Sequence, residues 1–277
     1  MSPAPAPRPG PAGPPAQAGT PPAAEPRYPD LAGRVAVVTG GSRGIGAATA
    51  RALARNGVAV AVVARDETAL GEVAGAISAG GGRTLAVRAD CTVEAEVDAA
   101  ARTIAERLGP VDIVAPFAGG HGMPVPTPQE TLAHWREVLD SDLTSVFATV
   151  HAFLPAMLER RRGAIITMSS AAARQPAGSS AAYAAAKAGV IAFSRHLAAE
   201  VGPRGIRVNC VAPSAVENER LLKWTTEEQR RELAASFPLR RLGRPGDVAA
   251  TTLFLASDAS SWITGATLDV AGGKIML

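Results

Sequence analysis

The chain has little sulfur, few aromatics and no large excess of charge. Its two cysteines, Cys91 and Cys210, stand far apart in 277 residues and lack the spacing of a metal site. This gives no disulfide framework and no expected metal, and it points to a reducing, cytoplasmic setting. Aromatic residues make up 4%, which suits close packing of helices on a sheet better than an aromatic-rich β-sandwich. There is no run of 18 apolar residues, so no membrane-spanning helix is expected. The formal net charge of +3 is spread over scattered arginines. The triplet at 160–162 reads as a solvated helix end, and nothing in the pattern calls for nucleic acid. What the chain has in quantity is apolar residues, 47% of the total, enough for a sizeable core.

Residues 1–29 are dominated by proline, alanine and glycine. No apolar face can form there, and the segment lacks the apolar stretch of a signal peptide, so a disordered tail is expected. From residue 30 to 277 the pattern fits one domain. Short apolar runs ending in glycine or polar residues alternate with helical stretches: RVAVVTG, VAVAVVA, TLAVRAD, VDIVAPFAG, GAIITMSS, IRVNCVAP and TLDVAGG. Such runs read as strands buried on both faces. A long helix is expected over about 132–161, broken near Asp142 or Pro155, and another over 180–201. The alternation predicts an α/β fold, a doubly wound parallel sheet of about seven strands with helices on both faces. In such folds ligands bind at the carboxyl ends of the strands.

Two stretches carry chemistry. In SAAARQPAGSSAAYAAAK, Tyr183 and Lys187 are four apart on one helical face, and Ser170 precedes the tyrosine by thirteen residues. An ammonium beside a phenol favours the phenolate, which suits proton transfer near neutral pH. After the first strand, TGGSRGIG places Gly40, Gly44 and Gly46 where a chain turns tightly into a helix N-terminus, the arrangement that cradles a pyrophosphate. The end of the second strand holds Ala64 and then Arg65, where an acidic residue would favour NAD(H). With Arg43 in the glycine loop, two guanidinium groups are set to clamp a 2′-phosphate, so NADP(H) is preferred over NAD(H).

These motifs, in this order, resemble the short-chain dehydrogenases/reductases over Ala32 to about Gly273. TGGSRGIG is similar to their TGxxxGxG. ITGATLDVAGG resembles their C-terminal strand and turn, and YAAAKAGV, RVNCVAP and FLASDASSWITG are similar to the 3-oxoacyl-carrier-protein reductase branch. The resemblance implies a Rossmann-like fold and a hydride transfer to a carbonyl. Tyr183 would give the proton, Ser170 would orient the carbonyl, and Lys187 would bind the nicotinamide ribose. It also implies a cofactor site made of Gly40, Ser42, Arg43, Gly44, Ile45, Gly46, Arg65, Asp90, Cys91, Ala118, Gly119, Tyr183, Lys187, Pro213 and Val216.

Three positions depart from the family pattern. Its NNAG reads Pro116, Phe117, Ala118, Gly119 here, which means either changed packing or a reshaped nicotinamide side. Its proton-relay asparagine is Asp142, which accepts but does not donate when ionised, so an altered relay is expected. Its PG motif reads Pro213, Ser214, with Asn218 where a threonine often follows. A substrate lid is expected at about 214–238, with Leu221, Leu222, Trp224 and Phe237 as its apolar members. Facing walls are expected at HGMPVPTP, from His121, and at Gln175–Ser180.

The expected substrate is a 3-oxoacyl, polyketide-like or cyclic ketone, free or carrier-protein-bound, with Arg161 and Arg204 as basic residues toward an acidic carrier. The resemblance implies a homotetramer or dimer. The alternatives are a cofactor-binding protein of the same fold without ordinary catalysis, and an oxidising alcohol dehydrogenase, against which Ala64 and Arg65 argue.

Overall fold

The computed structural model describes residues 26–120, 122–176 and 178–276. Most of the expected tail, residues 1–25, and His121 lie outside the described residues. Packing begins a few residues earlier than the composition suggested. The Tyr28 amide donates to Asn56 Oδ1 at 2.8 Å, and its side chain packs against the core.

Seven strands form one sheet: β1 Val35–Thr39, β2 Ala59–Ala64, β3 Thr84–Arg88, β4 Ile113–Pro116, β5 Gly163–Met168, β6 Ile206–Pro213 and β7 Thr267–Val270. All pairings are parallel, in the order β3-β2-β1-β4-β5-β6-β7. β1 is buried at every position and β2 at all but its last. A strand covered on both faces needs this unbroken run of Val and Ala. The edge strands β3 and β7 are only partly covered.

Helices α1 (Gly44–Arg55) and α2 (Glu67–Ala79) cover one face, together with the last helix, Pro245–Ala256. Helix α3 (Glu94–Leu108) covers the other with two later helices. The long helix expected over 132–161 is α4 (Leu132–Leu139), a π-helical turn at Asp140–Thr144, and α5 (Ser145–Arg160). The break therefore falls at Asp142, and Pro155 is carried within α5. Such wide turns recur at functional sites, and this one places Asp142 in a fully buried position. Helix α6 (Ala181–Val201) starts on Ser180, whose Oγ accepts from the Tyr183 amide at 3.2 Å. Two short helices follow β6, α7 (Glu219–Trp224) and α8 (Glu227–Ala235). Thr226 restarts the helix through a reciprocal cap with Gln229. Helix α9 is Pro245–Ala256.

Because β1 is followed outward by β2 and β3 and the chain then returns to β4, the sheet changes direction between β1 and β4. That is the switch point where a crevice opens at the carboxyl ends. The fourth strand ends earlier than its apolar run. Pro116 has no N–H to donate, and β4 pairs with β5 only through Ile113 and Val114. Gly119 and Gly120 then follow at φ 131° and 118°. Ala and Val dominate the layers on both faces, and each fully buried Val, Leu or Ile contributes about 1.5–3 kcal/mol.

Candidate active site

The crevice is a cleft of about 500 Å³. Of the expected cofactor residues, Gly40, Ser42, Arg43, Ile45, Gly46, Arg65, Asp90, Cys91, Ala118, Gly119 and Val216 line it. Gly44, Pro213, Tyr183 and Lys187 do not. Gly44 opens α1 at φ 54°, and Pro213 ends β6 in a buried position. The sequence reading missed Asp66, Thr92, Ser141, Ser145, Met168 and Glu217, all of which also line the cleft. Asp66 had a signal, as an aspartate just before a helix is a cap. Met168 had none, because it contributes a backbone carbonyl.

The glycine loop is built for close approach. A Cβ on Gly46 would sit 2.2 Å from the Gly40 carbonyl oxygen, and one on Gly40 would sit 2.7 Å from that of Phe117. Helices α2, α4, α6, α7 and α8 each begin with a side-chain cap. The first turn of α1 receives none among the described residues. Ile45 and Gly46 of that turn line the cleft, and a helix N-terminus without a side-chain cap there fits a phosphate-bearing cofactor.

At the far end of the cleft the two arginines each meet an aspartate. Arg43 Nη2 is 2.6 Å from Asp66 Oδ2, and Arg65 Nη1 is 3.7 Å from Asp90 Oδ2. Asp90 Oδ1 accepts from the Thr92 amide at 3.0 Å and from its hydroxyl at 2.8 Å. Burial works to raise the Asp90 carboxyl pKa, but the Thr92 hydrogen bonds and the Arg65 guanidinium outweigh it and hold it below the ordinary value. The neighbouring Cys91 thiol is pushed up to about 11, by burial first and by the Asp90 charge second. Burial also raises Cys210. At pH 8 the Cys91 thiolate is then on the order of one part in a thousand. Titration of the native protein with a disulfide reagent is expected to find no fast thiol, and both cysteines are expected to react once denaturant is added. A fast native thiol would contradict the burial of these side chains.

At the other end, β5, the π turn and α6 converge. Met168 ends β5 and lines the cleft, and its carbonyl accepts from Lys187 Nζ at 3.2 Å. Lys187 is 4% exposed and its Nζ lies 3.2 Å from Asp142 Oδ1. The same oxygen accepts from the Gly120 amide at 2.7 Å, and Asp142 Oδ2 accepts from Ser141 Oγ at 2.5 Å. Asp142 therefore ties the loop after β4 to α6. The Lys187 ammonium is 5.6 Å from the centroid of the half-buried Tyr183 ring. Gly122 passes over that ring so closely that a Cβ there would come within 3.2 Å of it. Ser169 Oγ donates to the Lys187 carbonyl at 2.7 Å and fixes α6 against the end of β5. Ser170 follows, half-buried, its Oγ accepting from the Ala172 amide at 3.2 Å. Arg174 Nε reaches Asp269 Oδ1 on β7 at 3.2 Å and anchors the loop that carries Ser170.

The remaining departures take part in packing and capping as well as in the cleft. Phe117 is buried in the core beneath α1 and α9 and, with Ala118 and Gly119, also lines the cleft. Asn218 uses its side chain locally, with Oδ1 accepting from the Leu221 amide at 2.8 Å and Nδ2 donating to the Val216 carbonyl at 2.9 Å. Of the apolar residues on 214–238, Phe237 is buried, whereas Leu222 and Trp224 are exposed. Arg161 and Arg204 stand at the amino ends of β5 and β6, opposite the cleft. There they donate to the Pro203 and Leu158 carbonyls. Within one chain that is the full length of β6, 8 residues or roughly 26 Å, from the site.

A glycine-cradled helix N-terminus at the switch point, with a serine, a tyrosine and a buried lysine at the adjoining strand end, defines a nucleotide-cofactor oxidoreductase of the doubly wound class. A family model described as enoyl-(acyl carrier protein) reductase matches residues 40–274, and the chain belongs to the short-chain dehydrogenase/reductase family. It is an NAD(P)-dependent oxidoreductase acting on hydroxyl and carbonyl groups.

The 3-oxoacyl-[acyl-carrier-protein] reductase of Synechocystis sp. is 39% identical over 255 residues, covering 89% of this chain and 98% of that protein. A cis-4-hydroxycyclohexanecarboxylate dehydrogenase of Sinomonas cyclohexanicum is 41% identical over 243 residues, covering 88% and 97%. Among solved structures, a putative NAD(P)-dependent gluconate 5-dehydrogenase from Beutenbergia cavernae with bound NADP superposes with a TM-score of 0.83. It is 36% identical and covers 89% of this chain and 98% of that one. Among the described residues no helix is long and apolar enough to cross a membrane.

Proposed function

We propose that the protein is an NADPH-dependent ketoreductase that reduces the carbonyl of a 3-oxoacyl, polyketide-like or cyclic ketone substrate. The observation that carries this reading is the buried Lys187 ammonium, 5.6 Å from the Tyr183 ring centroid beside the Met168 rim of the cleft. The bound nicotinamide supplies the hydride. Tyr183 donates a proton to the carbonyl oxygen as the alcohol forms, and Ser170 holds that oxygen by a hydrogen bond. Lys187 keeps positive charge beside the phenol and binds the ribose hydroxyls. Asp142 holds Lys187 in place and fixes the loop through the Gly120 amide. The glycine loop and the first turn of α1 take the pyrophosphate, and Arg43 and Arg65 take the 2′-phosphate.

Residues 214–238 act as the lid, with Leu222 and Trp224 supplying apolar cover for a moderately large substrate. The carbonyl compound is presented free or on a carrier protein. The enzyme works in the cytoplasm as a homotetramer. Phe147, exposed on α5 and packed on His151 and Phe193, supports assembly through that face. Trp262, 99% exposed ahead of β7, supports assembly through the C-terminal edge.

The test is the loss of NADPH absorbance with a panel of 3-oxoacyl thioesters, polyketide-like aromatic ketones and simple cyclic ketones, with cofactor binding measured alongside. Turnover on one class identifies the substrate type. Tight NADPH binding with no turnover on any class would sink the ketoreductase reading.

A further inference from the structure

The adenosine end of the cleft carries a charge arrangement that its arginines alone do not reveal. Arg43 and Arg65 are matched by Asp66 and Asp90, so the four side chains sum to zero. The two pairs are not alike. Asp90 is committed to Thr92 through Oδ1, and its contact with Arg65 is loose at 3.7 Å. Arg65 is 70% exposed and can swing toward a ligand. Asp66 divides its two oxygens. Oδ1 caps α2 by accepting from the Ala69 amide at 3.1 Å, and Oδ2 holds Arg43 at 2.6 Å. Both Asp66 and Arg43 line the cleft.

We infer that Asp66 is a specificity-determining residue that competes with the 2′-phosphate for Arg43 and so moderates the preference for NADP(H) over NAD(H). The inference rests on the proposal that this end of the cleft receives the adenosine ribose. A 2′-phosphate brings about two negative charges and has to displace the Asp66 carboxylate from Arg43 before that guanidinium can bind it. NAD(H) lacks that phosphate and leaves the Arg43–Asp66 pair intact. Because the pair is about half exposed, water and salt screen it and the exchange is feasible. Asp66 therefore selects against NADP(H) at a site whose arginines select for it.

The test is the affinity of NADPH and of NADH, measured by titration of the full chain at one fixed salt concentration, for wild type and Asp66→Asn. Asparagine caps a helix as well as aspartate does, so the substitution removes the charge and keeps the start of α2. The ratio of NADPH to NADH affinity is expected to rise about fivefold or more, with an unchanged melting temperature. The same substitution made on an Arg43→Gln background is expected to leave the ratio within about twofold, because the residue through which Asp66 acts is gone. A wild-type protein that binds both cofactors, with the same ratio in Asp66→Asn, overturns the inference alone. An equal rise on the Arg43→Gln background also overturns it. A wild-type protein that binds neither cofactor overturns both the inference and the reading beneath it.

Discussion

Tyr183→Phe is expected to lower turnover by about 10²- to 10⁴-fold, the range a positioned general acid supplies, with NADPH binding nearly unchanged. The phenol oxygen is the only atom removed. The ring stays under Gly122 and beside Lys187, whose ammonium keeps its bonds to the Met168 carbonyl and to Asp142. The variant therefore separates proton donation from the architecture of the site. Single-turnover measurements at saturating NADPH would read the chemical step directly. If turnover survived at more than roughly a tenth of wild type, Tyr183 would not be the proton donor, and another group at the mouth of the cleft would have to be.

The second large effect is expected at the Asp142–Lys187 pair. Asp142 is fully buried and Lys187 nearly so. Asp142→Ala would leave the ammonium facing the Met168 carbonyl in place of a carboxylate and would release Gly120 and Ser141. Removing one partner of a buried ion pair costs about 3–5 kcal/mol, mostly because the other charge stays buried. Denaturant unfolding of the two proteins would measure this, and a difference below about 1 kcal/mol would mean that Lys187 is neutral or reaches water when Asp142 is gone. Asp142→Asn is gentler. Its Oδ1 still accepts from Gly120, while one negative charge is lost beside Lys187. The net field at the phenol then becomes more positive, and the pH–rate profile is expected to move toward lower pH. Turnover unchanged across neutral pH in this variant would count against any part for Asp142 in proton handling.

Much of this site was legible in linear order because its parts are local. The turn from β1 into α1 needs glycine at Gly40, where the backbone meets Phe117, and at Gly46, where a side chain would strike the loop. Tyr183 and Lys187 share a face through helical spacing alone. The parts that were not legible depend on segments distant in sequence. Asp66 meets Arg43 across 23 residues, and Arg174 meets Asp269 across 95. Asn218 stands where a threonine often follows in the family pattern, and only the start of α7 shows that its amide oxygen serves as a cap. Pro116 and Phe117 left open either changed packing or a reshaped nicotinamide side. The fold ends β4 at the proline and buries Phe117 in the core, where it also meets the cleft.

The sequence by itself determined the alternation of strand and helix, the parallel sheet, the glycine loop and the shared helical face of Tyr183 and Lys187. Apolar periodicity and local backbone demands act within a few residues and are written in order along the chain. Only the tertiary structure decided what Asp142 does, where Asp66 stands and which arginines meet which aspartates. Charges act through space, and their partners are chosen by the packing of β1, β2 and the π turn rather than by proximity in sequence.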